Sequence, residues 1–183
     1  MNVATDRGGG IRTKMLHGCG LATASVLLPS AGGCILASCS CNSKDLTNAW
    51  YTGLDKPSWC LQNRKQYAPL AFLANSAVGY ASYLVYKHGE GCSGRAKNAM
   101  IVYGGHLALR WTWTHLFWGS RNIKLAFYEI LAADASILLT AHFFYQIDRK
   151  AAILFAVPSA LWLGYLTALN YILFKRNAPR IAE

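Results

Sequence analysis

At 183 residues the chain has room for one domain. Apolar residues make up 54% and charged residues 14%, well under the roughly 25% charged of a soluble domain, so the composition argues for a lipid-facing surface. A net charge of +10 would point to nucleic acid in a soluble protein, but here the basic residues sit between apolar runs, where anionic headgroups would meet them, and nucleic acid is not expected as a partner.

Residues 1–14 are polar and Gly-rich, with Arg7, Arg12 and Lys14, and read as a disordered N-terminal tail. The stretch from Met15 to Cys41 is uncharged and interrupted by Pro29 and Gly32-Gly33. Its basic start and Ala37-Ser38-Cys39 box resemble a signal peptide, yet its 27 residues exceed the roughly 20 of a spanning helix, and a retained first helix is the better reading. A polar loop over 42–67 then carries Trp50, Tyr51, Lys56-Pro57 and Trp59. Further apolar spans are expected at about 68–86, 99–118, 123–145 and 151–174, joined by short links and followed by a C-terminal tail over 178–183.

Short links make neighbouring helices antiparallel, and lipid requires each segment to satisfy its own backbone groups. Residues 15–177 are therefore expected to form an all-α integral membrane bundle of five transmembrane helices. Charge does not set its orientation. Lys and Arg on the N-terminal side stand at 7, 12, 14, 87, 95, 97, 149 and 150, and on the other side at 44, 56, 64, 65, 121, 124, 175, 176 and 180, eight against nine.

The six cysteines, Cys19, Cys34, Cys39, Cys41, Cys60 and Cys92, lack paired metal-ligand spacing, so free thiols are expected and no metal. Cys39 and Cys41 at a membrane edge are weak palmitoylation candidates. No Ser-His-Asp set or phosphate-cradling glycine loop appears in the chain, and neither a catalytic residue nor a cofactor is assigned.

Aromatic residues stand out. Tyr86, Trp118 and Tyr145 fall at span ends, as an interfacial belt would place them, whereas Trp111, Trp113 and Trp162 lie nearer span middles. Buried tryptophans of that kind either fill a core or line a ligand cavity, where a flat apolar ligand gains from offset stacking. His106 and Arg110, four apart, share a helix face. A haem held by such a histidine is conceivable, but histidines bonding to a neighbouring helix are commoner.

Arg110 lies about eleven residues into the third span and Asp134 about twelve into the fourth. Antiparallel neighbours would bring both to one depth, where a buried ion pair is expected. Glu129, nearer the membrane edge, has Lys124 and His115 as candidate partners. Gly104 with Ala108, and Ala77 with Ala81, offer small-residue contact faces, for packing within the bundle or for a homodimer.

The run Trp50-Tyr51-Thr52-Gly53-Leu54-Asp55-Lys56-Pro57-Ser58-Trp59 resembles the first-loop signature of the translocator protein and tryptophan-rich sensory protein family, also called peripheral-type benzodiazepine receptors. Gly79-Tyr80-Ala81-Ser82-Tyr83-Leu84-Val85-Tyr86 is similar to its second helix, and His106 to Trp113 with Phe117-Trp118-Gly119 to its third. Pro158 to Trp162 and Leu169-Asn170-Tyr171 are similar to its fifth, so the resemblance covers about residues 25–177 in order. The chain departs from the pattern at Cys60-Leu61, Ala71, Arg110 and Thr114-His115, which leaves room for a divergent paralogue.

The resemblance implies a membrane protein that binds and transports cholesterol and porphyrins or haem, in animals at the mitochondrial outer membrane, with the endoplasmic reticulum or plasma membrane as alternatives. It favours a cavity lined by His106, Arg110, Trp111, Trp113 and Trp162, with Trp50 and Trp59 as a lid. At Leu169, Tyr171 and Lys175 the chain fits the short cholesterol-recognition pattern, with Arg176 reaching for phosphates. Arg110 would equally pair with a porphyrin propionate. The alternatives are a porphyrin-degrading enzyme and a ligand-regulated scaffold for other outer-membrane proteins.

Overall fold

The computed structural model of the chain describes residues 20–32, 49–61, 64–91 and 94–181, and these residues contain helices and turns but no strand. Helix α1 spans Gly20–Gly32. A short helical turn at 49–52 opens the loop that ends at Leu61. Next come α2 at Arg64–His88 and α3 at Ala96–Thr114, which runs into a wide turn at His115–Gly119. The chain ends with α4 at Ile123–Tyr145 and α5 at Arg149–Ile181. The N-terminal tail, the ends of the expected first span, residues 182–183, and Cys19, Cys34, Cys39, Cys41 and Cys92 lie outside the described residues, while the expected C-terminal tail is helical in α5 as far as Ile181.

Local chemistry sets several helix boundaries. The Asn122 side chain caps α4 by accepting from the Leu125 amide at 3.0 Å. Asp148 does the same for α5, accepting from the amides of Lys150 at 2.7 Å and Ala151 at 3.2 Å. At the end of α3 the Ser120 amide reaches back five residues to the His115 carbonyl at 2.9 Å, a π-type turn. One extra residue is thus fitted into the helix where an uninterrupted span was expected.

Round the bundle, α3 packs on α4, α4 on α5 and α5 on α2, while α2 and α3 touch more sparingly. Helix α1 meets both members of that thinner seam. A Cβ at Gly79 of α2 would collide with the Ser25 backbone of α1, so only glycine lets these helices approach. From α3, the Trp111 indole donates to the Pro29 carbonyl at 3.3 Å and lies against Gly32. The centre is filled by Phe155 of α5, whose ring lies 5.2 Å from His106 and 6.2 Å from Tyr103 of α3, and 5.1 Å from Phe144 of α4.

The outer surface is apolar on four helices: Leu73, Ile101, Leu138 and Leu161 are between 63% and 76% exposed. So broad an apolar surface suits lipid and not water. By length and apolarity, one described helix is long enough to cross a membrane, over Arg149–Asn177. The five comparable spans expected are not matched one for one. As described, α1 is too short for that test, and polar residues such as Asn75, Arg110, Glu129 and Asp134 dilute the apolar runs of α2, α3 and α4.

Lipid supplies no hydrophobic drive between helices, so close packing and hydrogen bonds hold such a bundle together. Three seams carry polar clamps among the described residues. Arg110 donates to Asn75 of α2 at 2.6 Å, His106 pairs with Ser136 of α4 at 2.7 Å, and Thr167 of α5 donates to Asp134 at 2.7 Å. The expected ion pair between Arg110 and Asp134 is thereby corrected: no salt bridge joins them, because the aspartate faces α5 while the arginine reaches toward α2. Gly104 and Ala108 lie on the outside of α3, with nothing within 4 Å of a Cβ built at Gly104, so they do not pack within the described bundle.

A candidate ligand site beneath the aromatic loop

The loop over 49–61 lies across one end of the bundle and is fastened at both ends. At its start, Trp50 sits edge-on to Phe117 at 5.6 Å and Tyr51 packs on Trp118 at 5.1 Å, both rings belonging to the π turn. Trp113, one turn earlier, stacks on Phe117 at 5.1 Å and 14°. That turn groups Trp113, Phe117 and Trp118 beneath the loop. Each aromatic pair contributes about 0.5–1.5 kcal/mol beyond its buried area.

At the loop's end, Trp59 meets the Tyr165 ring at 5.8 Å, and Tyr165 lies 5.8 Å from Trp162. The Tyr165 hydroxyl accepts from the Leu61 amide at 3.0 Å. Between the two clusters, Lys56 donates to the Tyr51 carbonyl at 2.9 Å and stands 4.2 Å above the Tyr51 ring. Pro57 and Cys60 are buried, the thiol 3.1 Å from the Tyr51 hydroxyl. Asn177, buried near the end of α5, bonds the Asp55 backbone. Helix α5 therefore continues past the expected end at 174, because its polar last turns have the loop to bind.

The expected lining residues do not converge on one place, and Arg110 among them is turned to Asn75 of α2. Trp50 and Trp113 join at Phe117, while Trp59 and Trp162 join at Tyr165. His106 lies deeper and is fully enclosed. Ser136 donates its one hydroxyl proton to the Ala133 carbonyl at 2.6 Å, so it accepts from His106 Nδ1–H. That fixes the tautomer and leaves Nε2 as a bare acceptor with no protein partner among the described residues. Trp111 stands apart, turned onto α1.

Of the three sterol-pattern residues, Tyr171 and Lys175 meet, with the ammonium 4.9 Å over the ring, and both are exposed. Leu169 is buried in the core on another face. Glu129 pairs with neither Lys124 nor His115; both its oxygens are enclosed without a hydrogen-bond partner among the described residues. Sequence reasoning missed Asn75, Tyr165 and Asn177 as site supports. Tyr165, three residues after Trp162, was the one with a visible signal.

At the opposite end of the bundle, His88 of α2 lies 2.5 Å from Asp148 in the turn before α5. Burial pushes the Asp148 carboxyl up, but the amide of Ala151, the His88 ring and the amide of Lys150 together outweigh it and hold the group below its ordinary value.

Residues 25–175 match the model of the TspO/MBR family. The chain belongs to that family. It is 36% identical to a translocator protein of Sus scrofa over 154 residues, 84% of this chain and 88% of the relative. It is 31% identical to translocator protein 2 of Homo sapiens over 137 residues, 73% and 78% of the two. A tryptophan-rich protein TspO of Archaeoglobus fulgidus is 26% identical over 129 residues, covering 70% and 80%. TspO/MBR membership and the apolar outer surface together make this a membrane protein.

Proposed function

We propose that this TspO/MBR member is a multi-pass membrane protein whose five helices cross the bilayer and whose bundle binds and passes on flat, largely apolar ligands, cholesterol and porphyrins among them. The observation that carries this reading is the loop over 49–61, pinned to the π turn after α3 through Trp50 and to α5 through Trp59 and Asp55. A strap of that kind, with aromatic rings on its underside, serves as a lid over a ligand held between α3 and α5. His106 and Arg110 offer polar contacts deeper in, the arginine for a propionate. The exposed Tyr171 and Lys175 offer a second, lipid-facing sterol surface. A mitochondrial outer membrane location goes with this reading, as do contacts with other outer-membrane proteins and a homodimer. The chemistry expected is binding and release rather than bond making.

The test is quenching of tryptophan fluorescence in nanodiscs by protoporphyrin, with cholesterol as competitor. Saturable quenching that weakens in Trp162→Phe supports the internal site. Quenching that rises without limit means the porphyrin merely partitions into lipid, and the reading fails.

A further inference from the structure

Basic residues crowd the end of the bundle away from the loop. Lys87 lies in the last turn of α2, Arg95 and Lys97 stand at the start of α3, and Arg149 and Lys150 open α5; all five are exposed. Two contacts tie these helix ends together. The Ala96 amide of α3 donates to the Gly89 carbonyl just after α2 at 3.1 Å, and His88 of α2 lies 2.5 Å from Asp148 before α5. Lys87 and Arg149 are therefore sequence neighbours of the His88–Asp148 bridge, and Arg95 of the Gly89–Ala96 bond.

Acidic groups do not neutralise this cluster. Asp148 is engaged by His88 and by the amides of Lys150 and Ala151, which leaves the exposed Glu90 as the other acid described at this end. None of the five cations takes an ion pair among the described residues. At the loop end, by contrast, Lys56 is held by Tyr51, Lys175 lies over Tyr171, and Arg176 pairs with Asp55. Next to the free cations the helix faces turn apolar. On α5, Ile153, Val157 and Leu161 follow Arg149 at four-residue steps and are 53%, 53% and 72% exposed. On α3, Ile101 follows Lys97 in the same way and is 63% exposed.

We infer that this end is a docking surface for anionic phospholipids, whose phosphates meet Lys87, Arg95, Lys97, Arg149 and Lys150 while an acyl chain lies along Ile153, Val157 and Leu161. Charge selects the occupant. A zwitterionic headgroup brings its own ammonium to a surface already crowded with cations, whereas a headgroup of net negative charge does not. An acidic protein would suit the cations but not the exposed apolar stripe that begins one turn beyond them. The inference rests on the helices crossing the bilayer and not on a ligand beneath the loop, so it and the protoporphyrin titration can fail separately.

The test is electron paramagnetic resonance of phosphatidylglycerol and of phosphatidylcholine, each spin-labelled low on an acyl chain, with the full chain in phosphatidylcholine vesicles. Lipid held at the protein surface gives a motionally restricted component. Wild type should favour the labelled phosphatidylglycerol about threefold or more. That preference should fall toward one in about 1 M sodium chloride, which screens charges beyond about 3 Å. Lys87→Gln combined with Arg149→Gln should at least halve it. Arg121→Gln combined with Lys124→Gln, which removes exposed cations of the loop end, should leave it nearly unchanged. An unaltered phosphatidylcholine component in both variants checks that they fold. Equal restriction of the two lipids by wild type overturns the inference, as does an equal loss of preference in the two variants. Release of the restricted phosphatidylglycerol by inorganic phosphate at matched ionic strength marks a soluble-anion site and overturns it too. No restricted component with either lipid overturns it together with the proposed crossing of the bilayer.

Discussion

Asn177 grips the Asp55 peptide from both sides, its Oδ1 accepting from the Asp55 amide at 3.1 Å and its Nδ2 donating to the Asp55 carbonyl at 3.2 Å. The same Nδ2 also donates to the Leu173 carbonyl at 3.0 Å, which holds the carboxamide in place. Asn177→Ala should weaken loop closure by about 1–3 kcal/mol, seen as faster hydrogen exchange at the Asp55 amide. The neighbouring Arg176–Asp55 contact at 3.2 Å is exposed, so Arg176→Ala should leave that exchange nearly unchanged.

Gly79→Ala should pry α1 from α2. The added methyl group would meet the Ser25 backbone, which cannot swing aside as a side chain would. A loss of about 1–3 kcal/mol is expected, measured as a lowered melting temperature in detergent. Gly104→Ala, which meets nothing within 4 Å, is the matched control and should be close to neutral.

Double-mutant cycles should separate the Asn75 contact of Arg110 from the Asp134 pairing that its depth suggests. The cycle between Arg110 and Asn75 should show coupling of about 1–2 kcal/mol. Between Arg110 and Asp134 the coupling should lie within about 0.5 kcal/mol of zero, since the two take different partners.

Asp148 should make stability fall in acid. Its carboxyl titrates below the ordinary value in the fold, so its contribution is present in full above the unfolded-state value near 4 and disappears as pH falls through the lower folded value. Asp148→Asn should flatten that part of the stability profile. A wild-type melting temperature that stays constant from pH 5 to about pH 2 would contradict this assignment.

Depth along the helices was legible in the sequence, and facing was not. Apolar run lengths and short polar links placed α4 at 123–145, where Asn122 and the 146–148 turn carry the punctuation. The same counting put Arg110 and Asp134 within about one helical turn of the same level. Which way each side chain points depends on the rotation of each helix about its axis, and weak amphipathicity in a bundle apolar on both faces leaves that rotation unmarked. Trp111 likewise read as a lining residue because its depth was right, yet it faces α1. The extension of α5 was hidden because Asn177 owes its helical state to a loop more than a hundred residues away. Trp50 and Trp59, by contrast, carried their position in a motif, and the loop lies across the bundle end.

The π turn at His115–Gly119 makes this stretch sensitive to chain length rather than to residue type. Removing one residue would restore ordinary helical phase but rotate the downstream residues by about 100° relative to the rest of α3. Trp118 would then swing off Tyr51, and Asn122 would lose its place ahead of α4. Substitutions here test one contact at a time, whereas a single deletion would mis-time the whole second half of the bundle against the first.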